Sequence, residues 1–159
     1  MNAIDGATIV SALEARDAFG DSRDELLRAA VALVEESAES YDWVGVYLLE
    51  DDELILHNYI GKETEHTRIA VGEGVCGSAV AEDRDINVPD VHAIDNYIAC
   101  SIGTASELVV LIRSADGEIV GQLDLDSDQP AAFDEHDEEE LKVVADWLGE
   151  LLQGFSPAI

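Results

Sequence analysis

The sequence predicts an α+β domain, an antiparallel sheet covered by helices, and three observations predict it. Residues 1–40 carry apolar residues at helical spacing. The middle of the chain holds two pairs of β-rich runs, each pair joined by a short polar turn. The chain closes on a long amphipathic stretch headed by carboxylates.

Taken in order, Ile9, Ala12, Leu13 and Phe19 recur at near-helical spacing between Thr8 and Phe19. Gly20-Asp21 breaks that run, and Ser22 with Glu25 three residues later predicts a capping box. Leu26, Ala29, Ala30, Leu33 and Val34 then form one apolar helix face. Trp43 to Gly61 reads as two β runs around an acidic turn at Glu50–Glu53. Thr67–Val71 is a third short run, Gly77–Arg84 suits a short helix, and Ile86 onward is a strand ending at Pro89. Glu107 to Asp126 is the clearest hairpin, turned by Ala115-Asp116-Gly117. Asp134 is the expected N-cap of the last helix, whose stripe is Leu141, Val144, Ala145, Leu148, Leu151 and Leu152. Gly154–Ile159 is expected to fray.

Composition bounds the function. With 47% hydrophobic residues the chain can bury a core, so its acidity does not make it a disordered tail. It has 36 acidic residues against 8 basic, a formal charge of −28. That field repels nucleic acid and anionic lipid, which argues against both as partners. It also opposes compaction unless salt screens it: at about 1 M salt the Debye length is roughly 3 Å. A halophilic, cytoplasmic protein is the expectation. No run approaches the ~18 apolar residues of a membrane span, and Met1–Val10 has no basic region followed by an apolar one.

The two cysteines, Cys76 and Cys100, sit in small-residue settings, GEGVCGSAV and NYIACSIGTASE. Neither has a C-x-x-C partner or a histidine at zinc-ligand spacing, so no structural metal is expected. Each is either a small buried hydrophobe or a reactive thiol. Reactivity needs a helix N-terminus or a positive neighbour, and Cys76 just precedes the helix expected at Gly77. Gly72, Gly74 and Gly77 fit G-x-G-x-x-G, but the antiparallel context argues against a dinucleotide fold. Asp124, Asp126, Asp128 and Glu135 match EF-hand positions, yet Gln129 stands where the loop needs glycine. Asp124 and Asp126, two apart on a strand, share a face. They either point to solvent, as most acids of this chain must, or line a pocket where crowding would create a proton donor. Trp43 and Tyr47, four apart on a strand, also share a face and are core aromatics or pocket walls. His57, His66, His92 and His136 form no ligand pair and are read as surface or hydrogen-bonded residues.

In combination, W-V-G-V-Y-L-L, R-I-A-V-G-E-G-V-C-G-S-A-V, V-P-D-V-H, Y-I-A-C-S, S-E-L-V-V and G-Q-L-D-L-D-S resemble a GAF domain. More narrowly, they resemble the free methionine-(R)-sulfoxide reductases, whose motifs run in this order over roughly residues 40–152. The resemblance implies one GAF domain over residues 1–159, with N-terminal helices in 1–40 and core plus C-terminal helix in 41–153. It also implies an antiparallel sheet of about six strands flanked by helices, and a homodimer. It implies Cys100 as the nucleophile that leaves a sulfenic acid and Cys76 as the second thiol that condenses with it. Glu107, Asp124 and Asp126 would hold the substrate ammonium and supply a proton, and Trp43 and Tyr47 would wall the methyl-sulfoxide end. No bound cofactor is implied, only an external reductant such as thioredoxin. The chain departs from that pattern where a further cysteine commonly precedes the R-I strand: His66 stands there. Many GAF domains share the G-V-C-G and Y-x-A-C stretches, so the competing expectation is a non-catalytic module that binds a small molecule or senses redox state.

Overall fold

A computed structural model of the chain describes residues 3–93 and 103–153. The order of elements follows the sequence closely: α1 (Gly6–Ala18), α2 (Arg23–Glu35), β1 (Trp43–Glu50), β2 (Glu53–Ile60), β3 (Arg68–Ala70), α3 (Gly74–Glu82), β4 (Ile86–Val88), β5 (Ser106–Arg113), β6 (Ile119–Ser127) and α4 (Glu135–Leu152). The six strands form one antiparallel sheet in the order β3-β2-β1-β6-β5-β4.

The local signals act as elementary chemistry dictates. Ser22 accepts from the Glu25 amide while the Glu25 carboxylate accepts from the Ser22 amide, so the capping box forms. Asp134 and Asp137 make the same reciprocal pair at the head of α4. Asp51, in the left-handed region at φ 56°, turns β1 into β2, and Gly117 at φ 85° turns β5 into β6.

The centre of the sheet is buried on both faces. On one, α1, α2 and α4 pack Leu13, Leu27, Val31, Leu141, Val144 and Leu148 against Val44, Val46, Leu108, Val110, Leu123 and Leu125. On the other, α3 and its flanking segments cover Trp43, Tyr47, Val109 and Leu111. This double burial is why Ser106–Ile112 is buried without a break rather than in alternation.

Two expectations are corrected. Phe19 does not join the apolar face of α1: it is the C-cap, past the last turn, and 92% exposed. The third helix begins at Gly74 rather than Gly77, so Cys76 lies inside its first turn instead of ahead of it. Gly74 and Gly77 have low helix propensity and mask the true start. A Cβ on Gly77 would be driven into the Ala70 carbonyl, so close approach to β3 requires glycine there. The expected fraying at Gly154–Ile159 lies outside the described residues.

Candidate active site

Strand register assembles the site. On the face beneath α3, Trp43 of β1 pairs with Asp126 of β6, and Asp126 pairs with Glu107 of β5. Glu107 in turn pairs with Val88 of β4. One step along, Gly45, Asp124 and Val109 form the next row, and Tyr47, Gln122 and Leu111 the one after. The period of two that put Asp124 and Asp126 on one face therefore delivers both beside Glu107. All three acids are buried, Glu107 to 1%, Asp124 to 0% and Asp126 to 1% exposure. In a chain of charge −28 these acids are not part of the solvated surface.

From the opposite side, α3 brings down Cys76. Its Sγ lies 3.7 Å from Glu107 Oε2, within reach of a weak S–H···O bond. Donor atoms of Cys76, Glu107 and Asp124 all lie within 4.8 Å of one another. Gln122 Nε2 donates to the Cys76 carbonyl at 3.0 Å, tying the first turn of α3 to the sheet. Its Oε1, like Glu107 Oε1, is buried with no hydrogen-bond partner among the described residues.

The electrostatics follow from that geometry. Burial pushes the Glu107 carboxyl well above the usual carboxylate range, and the negative charges of Asp124 and then Asp126 push it further. A side-chain hydrogen bond with Asp124 acts in the same direction, while the contact with Cys76 opposes it. Two adjacent buried carboxyls share a proton more readily than they both ionise, so the cluster combines a proton donor with anionic oxygens. Such a site suits a cationic guest and a reaction that consumes a proton.

Trp43 and Tyr47 are wholly buried on this face. The indole stacks on Tyr59 with centroids 5.3 Å apart and donates Nε1–H to the Lys62 carbonyl at 3.1 Å. It lies flat over Gly45 and against Gly61, and a Cβ at either position would collide with the ring. The Tyr47 hydroxyl donates to the His66 carbonyl at 2.8 Å, so the backbone of His66 braces this wall.

Among the predicted site residues, Trp43, Tyr47, Cys76, Glu107, Asp124 and Asp126 are thus gathered on one sheet face. Cys100 lies outside the described residues. Gln122 is the residue that sequence reasoning passed over, although it shares the alternation of Asp124 and Asp126. The EF-hand spacing is not a site: Asp124 and Asp126 are buried inside β6, whereas Asp128 and Glu135 are exposed. The G-x-G-x-x-G stretch joins a three-residue edge strand to α3 in an antiparallel sheet and makes no βαβ unit. Of the histidines, His57 meets Asp24 at 2.8 Å and His136 the Ile4 carbonyl at 2.9 Å. More open hollows near Leu49, Ile119 and Leu152, and near Glu36, Glu39 and Asp42, include none of the site residues.

Known proteins share this fold. The free methionine-R-sulfoxide reductase of Escherichia coli (strain K12) is 40% identical over 121 residues, which span 76% of this chain and 72% of that protein. A type II free methionine-R-sulfoxide reductase from Thermoplasma acidophilum superposes with a TM-score of 0.77 at 38% identity, covering 82% of this chain and 95% of that one. The free methionine-R-sulfoxide reductase from Neisseria meningitidis, solved in complex with its substrate, superposes with a TM-score of 0.81 at 36% identity, covering 91% and 86%. The family model described as GAF domain matches residues 22–152, which include the whole sheet and its buried acids, and the chain belongs to the GAF domain family.

Proposed function

We propose that this chain is a thiol-dependent reductase of free methionine-(R)-sulfoxide. The observation that carries the reading is the buried Glu107–Asp124–Asp126 cluster within reach of the Cys76 thiol, in a chain whose relatives include free methionine-R-sulfoxide reductases. Buried carboxylates are costly unless a cation joins them. The α-ammonium of a free amino acid supplies three donors and one positive charge. A methionine inside a peptide has neither, which explains selectivity for the free form.

In this reading Cys100 is the nucleophile. Its thiolate attacks the sulfoxide sulfur, and a proton passes to the sulfoxide oxygen from the Glu107–Asp124 pair. The oxygen transfers to the cysteine, leaving methionine and a sulfenic acid, so the substrate sulfur gains two electrons and the cysteine sulfur loses two. The Cys76 thiol then condenses with the sulfenic acid, releasing water and forming a disulfide, which an external dithiol of the thioredoxin class reduces. Trp43 and Tyr47 wall the methyl end. The working unit is a homodimer of one-domain chains in the cytoplasm of a salt-adapted cell.

The test is turnover of the separate R and S epimers at high salt with dithiothreitol, alongside N-acetylmethionine sulfoxide. The expected result is turnover of the R epimer alone, lost in Cys100→Ser and strongly reduced when the amine is acetylated. No turnover by the folded protein overturns the reading. Equal use of the acetylated compound overturns the role given to the acids.

A further inference from the structure

We propose that Cys76, Glu107 and Asp124 form a binding site for a soft divalent cation of the zinc class. Three atoms within 4.8 Å of one another enclose a point no more than about 2.8 Å from each (4.8/√3). Zn–O and Zn–S bonds are about 2.0–2.3 Å, so side-chain shifts of about 0.8 Å or less complete the triad.

The donor set selects the metal. A thiolate sulfur with carboxylate oxygens at small spacing suits Zn²⁺. Mg²⁺ and Ca²⁺ require six or more oxygens, and a sulfur in the triad disfavours both. Two further observations point to a guest. Glu107 Oε1 is buried in the site and has no hydrogen-bond partner among the described residues. Gln122 Oε1 is likewise buried without a hydrogen-bond partner among the described residues, on an amide whose nitrogen donates to the Cys76 carbonyl. A dication neutralises the buried acids more completely than a single ammonium does, and its binding displaces the thiol proton.

The metal site is independent of the nucleophile assigned above. Where the chain is a reductase, bound Zn²⁺ competes with the substrate ammonium for the same oxygens. The experiment measures binding and not turnover. Chain freed of metal with a chelator and reduced with a phosphine is titrated with Zn²⁺ in molar KCl, which screens the surface acids. One equivalent is expected to bind. In parallel, Co²⁺ is expected to give a thiolate-to-cobalt charge-transfer band. Cys76→Ser should abolish the band, and Glu107→Gln and Asp124→Asn should each weaken Zn²⁺ binding by at least tenfold, whereas Cys100→Ser should retain the band. Circular dichroism confirms the fold of each variant, and the two carboxyl variants decide the matter if Cys76→Ser does not fold. Equal Zn²⁺ affinity in the variants and the parent overturns the proposal, as does a cobalt band that follows Cys100 instead of Cys76.

Discussion

Glu107 and Asp126 stand directly opposite each other across the β5–β6 ladder, both buried beneath α3. Like charges in that relation destabilise a sheet, and Asp124 adds a third acid two residues along the same face. Burial and the neighbouring acids push the Glu107 carboxyl well above its ordinary range, and that makes stability pH-dependent.

Glu107 is more basic folded than unfolded, since burial and then Asp124 and Asp126 raise it above its ordinary 4.5. Below that ordinary value both states are protonated and no penalty exists. Above it the unfolded chain has lost the proton while the folded chain holds it. Stability therefore falls as pH rises, by up to about 1.4 kcal/mol per unit, until the folded group itself ionises. Chemical denaturation of Glu107→Gln across pH 5–9 should show a shallower decline than the parent; parallel curves would show that the group is not shifted.

Gly45→Ala should displace the Trp43 indole, because the added methyl occupies the ring's place. Overpacking of this kind costs about 1–3 kcal/mol. Thermal unfolding reads the loss, and the near-ultraviolet dichroism of the indole should change with it. Under the reductase reading KM rises more than kcat falls.

Gln122→Met tests a balance of two terms. It removes the bond to the Cys76 carbonyl, worth about 1 kcal/mol, and also removes a buried oxygen whose lack of a partner costs about 1–3 kcal/mol. The unfolding free energy should stay level or rise by up to about 2 kcal/mol. A loss above about 2 kcal/mol would mean that the amide is fully satisfied when the protein is folded.

Under the reductase reading, Cys76→Ser separates the two thiol roles. With excess substrate and no reductant, the variant should still release one methionine per chain but accumulate a sulfenic acid that dimedone traps. Thioredoxin-driven turnover should drop by an order of magnitude or more. Full thioredoxin-driven turnover would assign the second thiol elsewhere.

Salt should stabilise the chain. Its −28 charge repels itself across a Debye length of about 10 Å at 0.1 M salt and roughly 3 Å at 1 M. A gain of about 1 kcal/mol moves the melting temperature by about 2–4 °C in a domain of this size. Calorimetry in 0.1 M and 2 M KCl should therefore show a rise of about 2–4 °C for each 1 kcal/mol gained, and no rise would show that self-repulsion does not limit stability.

What the sequence determined by itself was local. The Ser22 and Asp134 capping boxes, the turns at Asp51 and Gly117, and the shared faces of Asp124 with Asp126 and Trp43 with Tyr47 all rest on contacts between near neighbours in the chain. The likeness of its motifs added the family. Tertiary structure decided which face those pairs occupy and what they meet. Period two places Asp124 and Asp126 together but is silent on whether they face water or the protein. The pairing of β6 with β1 on one side and β5 on the other, with α3 laid over that face, buries them. The same long-range pairing made Gln122 a contact of Cys76. Side-chain alternation is a property of each strand alone, whereas burial belongs to elements far apart in the chain that meet only when the sheet closes.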